Sequence, residues 1–72
     1  MIKFNDYENK LVHVEINGDE MTMRTTDYEE GVYLCQKPAG KDWNNVGTVS
    51  CEDATNAVQK MLAAGGKIMK ES

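Results

Sequence analysis

The side chains that could carry covalent or acid–base chemistry are few in this sequence. His13 is the only histidine, and Cys35 and Cys51 are the only cysteines. A general base or an activated nucleophile needs a second reactive group within hydrogen-bond reach. Glu15 is the nearest possible partner of His13, because both side chains lie on the same face of one strand. Polar residues placed in this way are typical of an ordinary polar cluster on one face of a hairpin. We therefore expect no catalytic residue, and we expect that this chain is not an enzyme.

The two cysteines are the remaining candidates for reactive or metal-binding groups. There is no CxxC motif, and one histidine cannot complete a Cys/His zinc set. Cys35 lies among apolar residues and is expected to pack as a small hydrophobic side chain. Cys51 falls at the first position of a predicted helix, where the helix dipole would lower its pKa and favour reaction over Cys35. A disulfide between the two stays open as an alternative.

No cofactor or metal motif is present either. The acidic turn DYEEG at 27–31 lacks the alternating oxygen ligands and the closing glutamate of a calcium loop. The glycine pair at 65–66 follows a helix, whereas phosphate-binding glycines precede one. We expect no cofactor and no bound metal.

Carboxylates and one tryptophan are the better candidates for binding a partner. Residues 1–30 hold eight acidic side chains against three basic ones, and residues 31–72 hold four against five. This balance disfavours direct binding to nucleic acid or to an anionic membrane, since both need a cationic surface. Trp43 lies in a polar loop, either as an exposed recognition residue or as a lid over the open end of the core. The predicted partner-binding residues are Asp19, Glu20, Asp27, Tyr28, Glu29, Glu30 and Trp43.

A helix is the element on which the rest of the chain must pack. The stretch from Ser50 to Gly66 places apolar residues at i, i+3, i+4, i+7 and i+8. Ser50 is the predicted N-cap, followed by acidic residues that suit the positive end of the dipole. Gly65 and Gly66 supply the left-handed residue that ends the helix. The predicted buried face consists of Ala54, Ala57, Val58, Met61 and Leu62.

A β-hairpin is the second clear element. Lys10–Ile16 and Asp19–Thr26 alternate between apolar and polar residues, and Asn17-Gly18 suits a type I′ turn. A two-residue loop would pair Val14 with Met21, and a four-residue loop over 17–20 would pair Ile16 with Met21. In either register the alternation places one apolar face toward the helix, and this face consists of Val12, Val14, Ile16, Met21 and Met23. The opposite face is then left to solvent or to a partner, and it carries Leu11, His13, Glu15, Thr22, Arg24 and Thr26.

The remaining segments complete one small domain over residues 1–72. Val32–Lys37 and Val46–Val49 are predicted strands, Ile2–Phe4 is a predicted edge strand, and Lys67–Lys70 is either a brief closing strand or a frayed tail. The predicted fold is α+β, with a three- to four-stranded antiparallel β-meander and one C-terminal helix packed on one of its faces.

The junction Val46-Gly47-Thr48, with Ser50, Ala54 and Ala57, resembles the last strand and helix of two families of small DNA-binding domains. These are the domains of plant ethylene-response factors and of phage integrases. Both read DNA through basic and aromatic residues on the sheet, whereas the hairpin here carries Asp19 and Glu20. The resemblance is one of capping and packing, and we assign the chain to no family.

Size, charge and the absence of reactive groups indicate a non-enzymatic protein-interaction module. Its most specific form is a small acidic inhibitor from a phage or mobile element, of anti-CRISPR or anti-defence type. Its carboxylates would block the basic nucleic-acid-binding surface of a larger partner. The alternative is a small homo-oligomeric structural or regulatory protein, such as a homodimer, with VYLC at 32–35 and the uncovered sheet face buried between copies. We expect a cytoplasmic protein, because no signal peptide follows Met1 and no apolar run reaches the ~20 residues of a membrane span.

Overall fold

Five β-strands and one helix make up the regular structure, in a computed structural model that describes residues 1–72. All neighbouring strands are antiparallel, and their order across the sheet is β4-β3-β2-β1-β5. The predicted α+β fold is confirmed, with the closing strand that the sequence left open present as a fifth strand and the helix placed between the last two strands. The elements are β1 (Lys10–Ile16), β2 (Asp19–Thr25), β3 (Val32–Lys37), β4 (Asn44–Val49), α1 (Cys51–Ala63) and β5 (Lys67–Glu71).

The hairpin of β1 and β2 has the two-residue turn, and of the two registers left open by the sequence it adopts the one that this turn sets. Asn17 and Gly18 adopt φ values of 52° and 87°, the pair of positive φ angles that a type I′ turn requires. Val14 consequently lies opposite Met21, and Val12 lies opposite Met23. All four side chains are buried on the side of the sheet that faces α1.

The helix begins and ends at the residues that its sequence predicts. The Ser50 hydroxyl accepts a hydrogen bond of 3.0 Å from the Asp53 amide, which satisfies one of the free N–H groups of the first turn. At the other end Gly65 has a φ of 98°, and the Gly66 amide donates to the Met61 carbonyl at 2.8 Å. Of the predicted buried face, Ala54 and Val58 are fully buried, and Ala57, Met61 and Leu62 are partly buried against the core.

The N-terminal segment packs on the helix and forms no strand, so the predicted edge strand at Ile2–Phe4 is wrong. Ile2 and Phe4 are instead buried core residues. The Phe4 amide donates to the Thr55 hydroxyl at 3.1 Å, and the Gln59 side-chain amide donates to the Ile2 carbonyl at 2.8 Å. Contacts with helix side chains therefore take the place of strand pairing for this backbone.

The C-terminal segment is a strand and not a frayed tail. β5 pairs with β1, with Val14 opposite Ile68 and His13 opposite Lys70, and the register shifts between these pairs. Beyond the end of the strand, Leu11 and Ser72 exchange two backbone hydrogen bonds of 3.1 and 2.9 Å. β1 thereby lies inside the sheet, and β4 and β5 form its two edges.

The core lies entirely between the sheet and the layer formed by α1 and the N-terminal segment. Its ten residues are Ile2, Phe4, Val12, Val14, Met21, Met23, Val32, Leu34, Ala54 and Val58. The other face of the sheet, called the open face below, has no helix over it, as the sequence predicted. Paired residues point to the same side of a sheet, so the open face carries Leu11, His13, Glu15, Glu20, Thr22, Arg24, Tyr33, Cys35, Lys37, Lys67 and Lys70. No helix in the structure has the length and the apolar run needed to cross a membrane.

Candidate protein-binding surfaces

The predicted partner-binding residues divide between the two ends of β2. Asp19 and Glu20 begin this strand, and the acidic loop, defined as residues 27–31, follows its end. The strand has seven residues, so the two groups are separated by roughly 20 Å at about 3.3 Å per residue. Trp43 lies at the Asp19 end, because Asn44 pairs with Gln36 next to the Lys37–Glu20 pair. The structure therefore offers two surfaces and not one continuous site.

The acidic loop is held in place by the N-terminal segment. The Tyr7 amide donates to the Glu29 carbonyl at 3.2 Å, and the Tyr7 hydroxyl donates to a Glu30 carboxylate oxygen at 3.1 Å. The Gly31 amide donates to the Asp6 carboxylate at 2.7 Å. These contacts join two turns that are 25 residues apart in sequence. We call the combined region, Asp6 and Tyr7 with the acidic loop, the acidic end.

The carboxylates of the acidic loop are exposed and have no cationic partner. Asp27, Glu29 and Glu30 are exposed, and Tyr28 between them is 73% exposed. The two lysine ion pairs join Lys10 to Glu8 and Lys37 to Glu20, and His13 contacts Glu20, so none of these contacts reaches the loop. The negative charge of the loop is therefore available to an outside partner.

Two pKa shifts follow from the contacts at this end of the molecule. The hydrogen bond to Glu30 and the negative charge of that carboxylate raise the pKa of the Tyr7 phenol. Hydrogen bonds from Asn5 and Lys10 lower the pKa of Glu8. Both shifts favour the protonation states present at neutral pH, in which Tyr7 donates a hydrogen bond and Glu8 is ionised.

Asp19 and Glu20, at the other end of β2, already have partners within the chain. The Asp19 carboxylate accepts a hydrogen bond of 2.8 Å from the Ala39 amide. One Glu20 oxygen lies 2.8 Å from His13 Nε2, and the other lies 3.7 Å from Lys37 Nζ. Their role in partner binding stays a prediction, while these contacts show that both carboxylates tie neighbouring elements together.

Trp43 lies over the open face of the sheet. Its indole contacts the His13 imidazole edge-on, and its side chain remains 45% exposed. Trp43 is not part of the core cluster, which lies on the other face. Of the two alternatives, the structure therefore shows the exposed residue and not the lid over the core.

The two thiols are free, and neither is placed as a reactive cysteine. Cys35 donates a hydrogen bond to the Asn45 side chain, and Cys51 donates one to Asp6, each at 3.3 Å. Burial and the hydrogen bond to Asp6 raise the pKa of Cys51. The prediction that this pKa is lowered is wrong, because burial and the neighbouring Asp6 carboxylate raise it. No group of three or more potential ligand residues could hold a metal ion.

The net positive charge of the open face was not predicted from the sequence. Its cations outnumber its carboxylates by four to two, whereas the chain as a whole has a net charge of −4. The lysines that produce this excess come from β3 and β5, which are distant in sequence. Only the strand order, with β5 beside β1, brings them onto one face.

No protein-family model, no curated protein and no solved structure matches this chain. Its function is therefore inferred from the geometry and the charge of these two surfaces.

Proposed function

We propose that this chain is a non-enzymatic interaction module that binds a basic surface of a larger protein through its acidic end. The observation that carries this proposal is the acidic loop, where three exposed carboxylates lack a cationic partner. Opposite charge across an interface accelerates encounter and fixes orientation. A basic protein surface is the partner chemistry that such a loop fits.

The attachment of the loop to the N-terminal segment favours binding further. A segment that is already held in its bound shape loses less conformational entropy on association. Tyr7 and Tyr28 add exposed aromatic area between the carboxylates, at 55% and 73% exposure. Tyrosine supplies a large contact area at low entropic cost and is enriched at protein interfaces.

In its most specific form, this module is an inhibitor that occupies the nucleic-acid-binding surface of its partner. The loop carboxylates would stand where phosphates bind, and the chain itself would contact no nucleic acid through this end. A phage or mobile-element protein of anti-CRISPR or anti-defence type would act in this way in the cytoplasm. The support for this form is the small size and the net charge of −4, together with three carboxylates at one end of the sheet that form no ion pair.

Association of copies through the sheet edges is less well supported. Both edge strands contain a register shift, and β5 also carries Lys67 and Lys70. Bulges and lysines on edge strands hinder pairing with another chain. In residues 32–35 the core takes up Val32 and Leu34, whereas Tyr33 and Cys35 lie on the open face.

The proposal is tested by titrating the isotope-labelled chain with a deca-arginine peptide as a minimal basic surface. We expect the largest amide shift changes at residues 6–7 and 27–31. The variant Asp27→Lys/Glu29→Lys changes two carboxylates that make no side-chain hydrogen bond in the chain, so its fold should be retained. Its affinity for the peptide should fall at least about tenfold, and the salt dependence should become weaker.

The matched control is Asp42→Lys/Glu71→Lys, which makes the same change in net charge at exposed positions outside the acidic end. It should bind nearly as the unmodified chain does. Equal losses in the two double variants would show that net charge alone matters, and the acidic end would then not be the binding surface. The same pair of variants can be used in affinity purification from the native host to recognise the true partner.

A further inference from the structure

The open face carries the opposite charge from the acidic end. Arg24, Lys37, Lys67 and Lys70 lie on it with only two carboxylates, Glu15 and Glu20, which gives a local charge of +2 within a chain of −4. The remaining surface therefore carries −6. At physiological salt, charges more than about 8 Å apart are largely screened, so a binding partner responds to each local surface and not to the net charge.

Three of these four cations have no carboxylate within ion-pair distance. Lys37 lies near Glu20, which is also hydrogen-bonded to His13. Arg24, Lys67 and Lys70 take part in no ion pair. Arg24 and Tyr33 border one cleft together with Tyr28, Glu29 and Glu30 of the chain's own acidic loop. The free cations on which a contact with a second copy depends are therefore Lys67 and Lys70.

Aromatic side chains complete the match between the two surfaces. Trp43 and Tyr33 are 45% and 44% exposed on or over the open face. In the acidic loop, Tyr28 projects between Asp27 and Glu29 at 73% exposure. Aromatic and cationic groups on one surface suit an aromatic side chain flanked by carboxylates on the other.

We infer that the open face binds the acidic loop of a second copy of this chain. The loop lies at one end of the sheet and the open face lies along its side, so the contact joins two different surfaces. Such a contact is head-to-tail, and it produces a ring or an open chain of copies instead of a two-fold dimer. It also places the acidic loop in competition between a second copy and the basic partner proposed above.

A nucleic acid is a poorer fit to this face than the acidic loop. Single-stranded nucleic acid binds along a continuous cationic groove. On this face Glu15 and Glu20 lie opposite each other on adjacent strands, between Lys37 on one side and Lys67 on the other. A phosphate backbone crossing this row would meet two carboxylates at its centre, whereas a loop with three carboxylates can avoid them.

The test is sedimentation velocity on the full chain at micromolar to millimolar concentration. The salt is varied between about 0.1 M and about 1 M, over which the Debye length falls from about 10 Å to about 3 Å. We expect association that depends on concentration at the lower salt and disappears at the higher salt. Two charge-reversal variants, Lys67→Glu/Lys70→Glu in the face and Asp27→Lys/Glu29→Lys in the loop, should each remain monomeric alone.

Mixing the two variants should restore association, because each then meets a surface of opposite charge. Lys3→Glu/Lys60→Glu is the matched control for the face variant, with the same charge change at exposed positions outside the open face. It should associate as the unmodified chain does. Circular dichroism of each variant checks that the fold is retained.

Trp43, as the only tryptophan, provides a second readout that does not depend on assembly. A synthetic peptide of residues 25–31 should shift Trp43 emission, and the same peptide with amides in place of its three carboxylates should not. A monomer at every concentration with no emission shift would overturn the inference. So would a mixture of variants that fails to associate, or an emission shift caused by oligothymidylate and not by the peptide. The deca-arginine titration is unaffected by these outcomes, because it measures the acidic end of the monomer.

Discussion

The indole of Trp43 lies edge-on to the imidazole of His13, with ring centroids 5.8 Å apart and ring planes inclined by 60°. Trp43 precedes β4, whereas His13 lies on β1, and two strands separate β4 from β1 in the sheet. The indole therefore reaches across the open face. This contact joins a loop to an inner strand of the sheet on the side that has no helix.

Trp43→Ala should destabilise the fold only modestly. An aromatic pair contributes about 0.5–1.5 kcal/mol beyond area burial, and this side chain is already half exposed, so we expect a loss of about 1–2 kcal/mol. Met23→Ala, at a fully buried position, should cost about 2–5 kcal/mol. Urea unfolding followed by far-UV circular dichroism measures both. A loss for Trp43→Ala as large as that for Met23→Ala would place the indole in the core.

Phe4→Ala should largely unfold the domain. Truncating a buried phenylalanine costs about 3–5 kcal/mol, which is comparable with the whole stability of a domain of this size. Lys3→Ala, at the exposed neighbouring position, should change the free energy of unfolding by no more than about 0.5 kcal/mol. Thermal unfolding compares the two. Similar melting temperatures for the unmodified chain and Phe4→Ala would contradict the packing of the N-terminal segment on α1.

Gly31→Ala and Gly40→Ala should differ although both glycines have positive φ, at 83° and 74°. A left-handed conformation costs a non-glycine residue about 1–2 kcal/mol, and we expect this loss at Gly40, where a Cβ would meet nothing. At Gly31 a Cβ would lie 2.8 Å from Thr48 Cγ2 and 2.9 Å from the Val49 carbonyl. The loss there should be at least twice as large, as measured by urea unfolding. Equal losses would show that the acidic loop can shift away from β4.

Cys51 should react with iodoacetamide more slowly than an ordinary thiol at mildly alkaline pH. Its raised pKa leaves less thiolate, and the thiolate is the reactive form. Because the folded-state pKa lies above the unfolded one, this group stabilises the fold below the unfolded pKa, and that contribution is lost as the pH rises through the folded pKa. Asp6→Asn removes one cause of the shift and should accelerate alkylation in the native state. The rate is followed by mass spectrometry, and an unchanged rate would show that Asp6 has no influence on the thiol.

Local chemistry explains which elements could be predicted from sequence. The Asn17-Gly18 turn and the Ser50 cap depend on residues only a few positions away, and both formed as expected. The N-terminal segment could not be assigned in this way. Alternating apolar residues at 2 and 4 fit an edge strand as well as a segment packed on a helix. The hydrogen bonds of this segment with Thr55 and Gln59 show that it packs on the helix.

The candidate surfaces depended on contacts that are distant in sequence. The exposure of the acidic loop was predictable from its composition, but its attachment to Asp6 and Tyr7 was not. In the sequence, the acidic residues at the two ends of β2 look like a single group. In the structure, the length of the strand separates them. The net charge of −4 gave no indication that the open face has more cations than carboxylates. This excess arises only because β5 lies beside β1 in the sheet.

The position of β1 between β2 and β5 also sets an order of events during protein synthesis. Met21 lies opposite Val14 across a two-residue turn, whereas Ile68, on the other side of Val14, follows it by 54 residues in the chain. Until β5 is synthesised, β1 is a bare edge whose unpaired backbone groups, including those of Leu11, can pair with another nascent chain. The docking of β5 covers this edge.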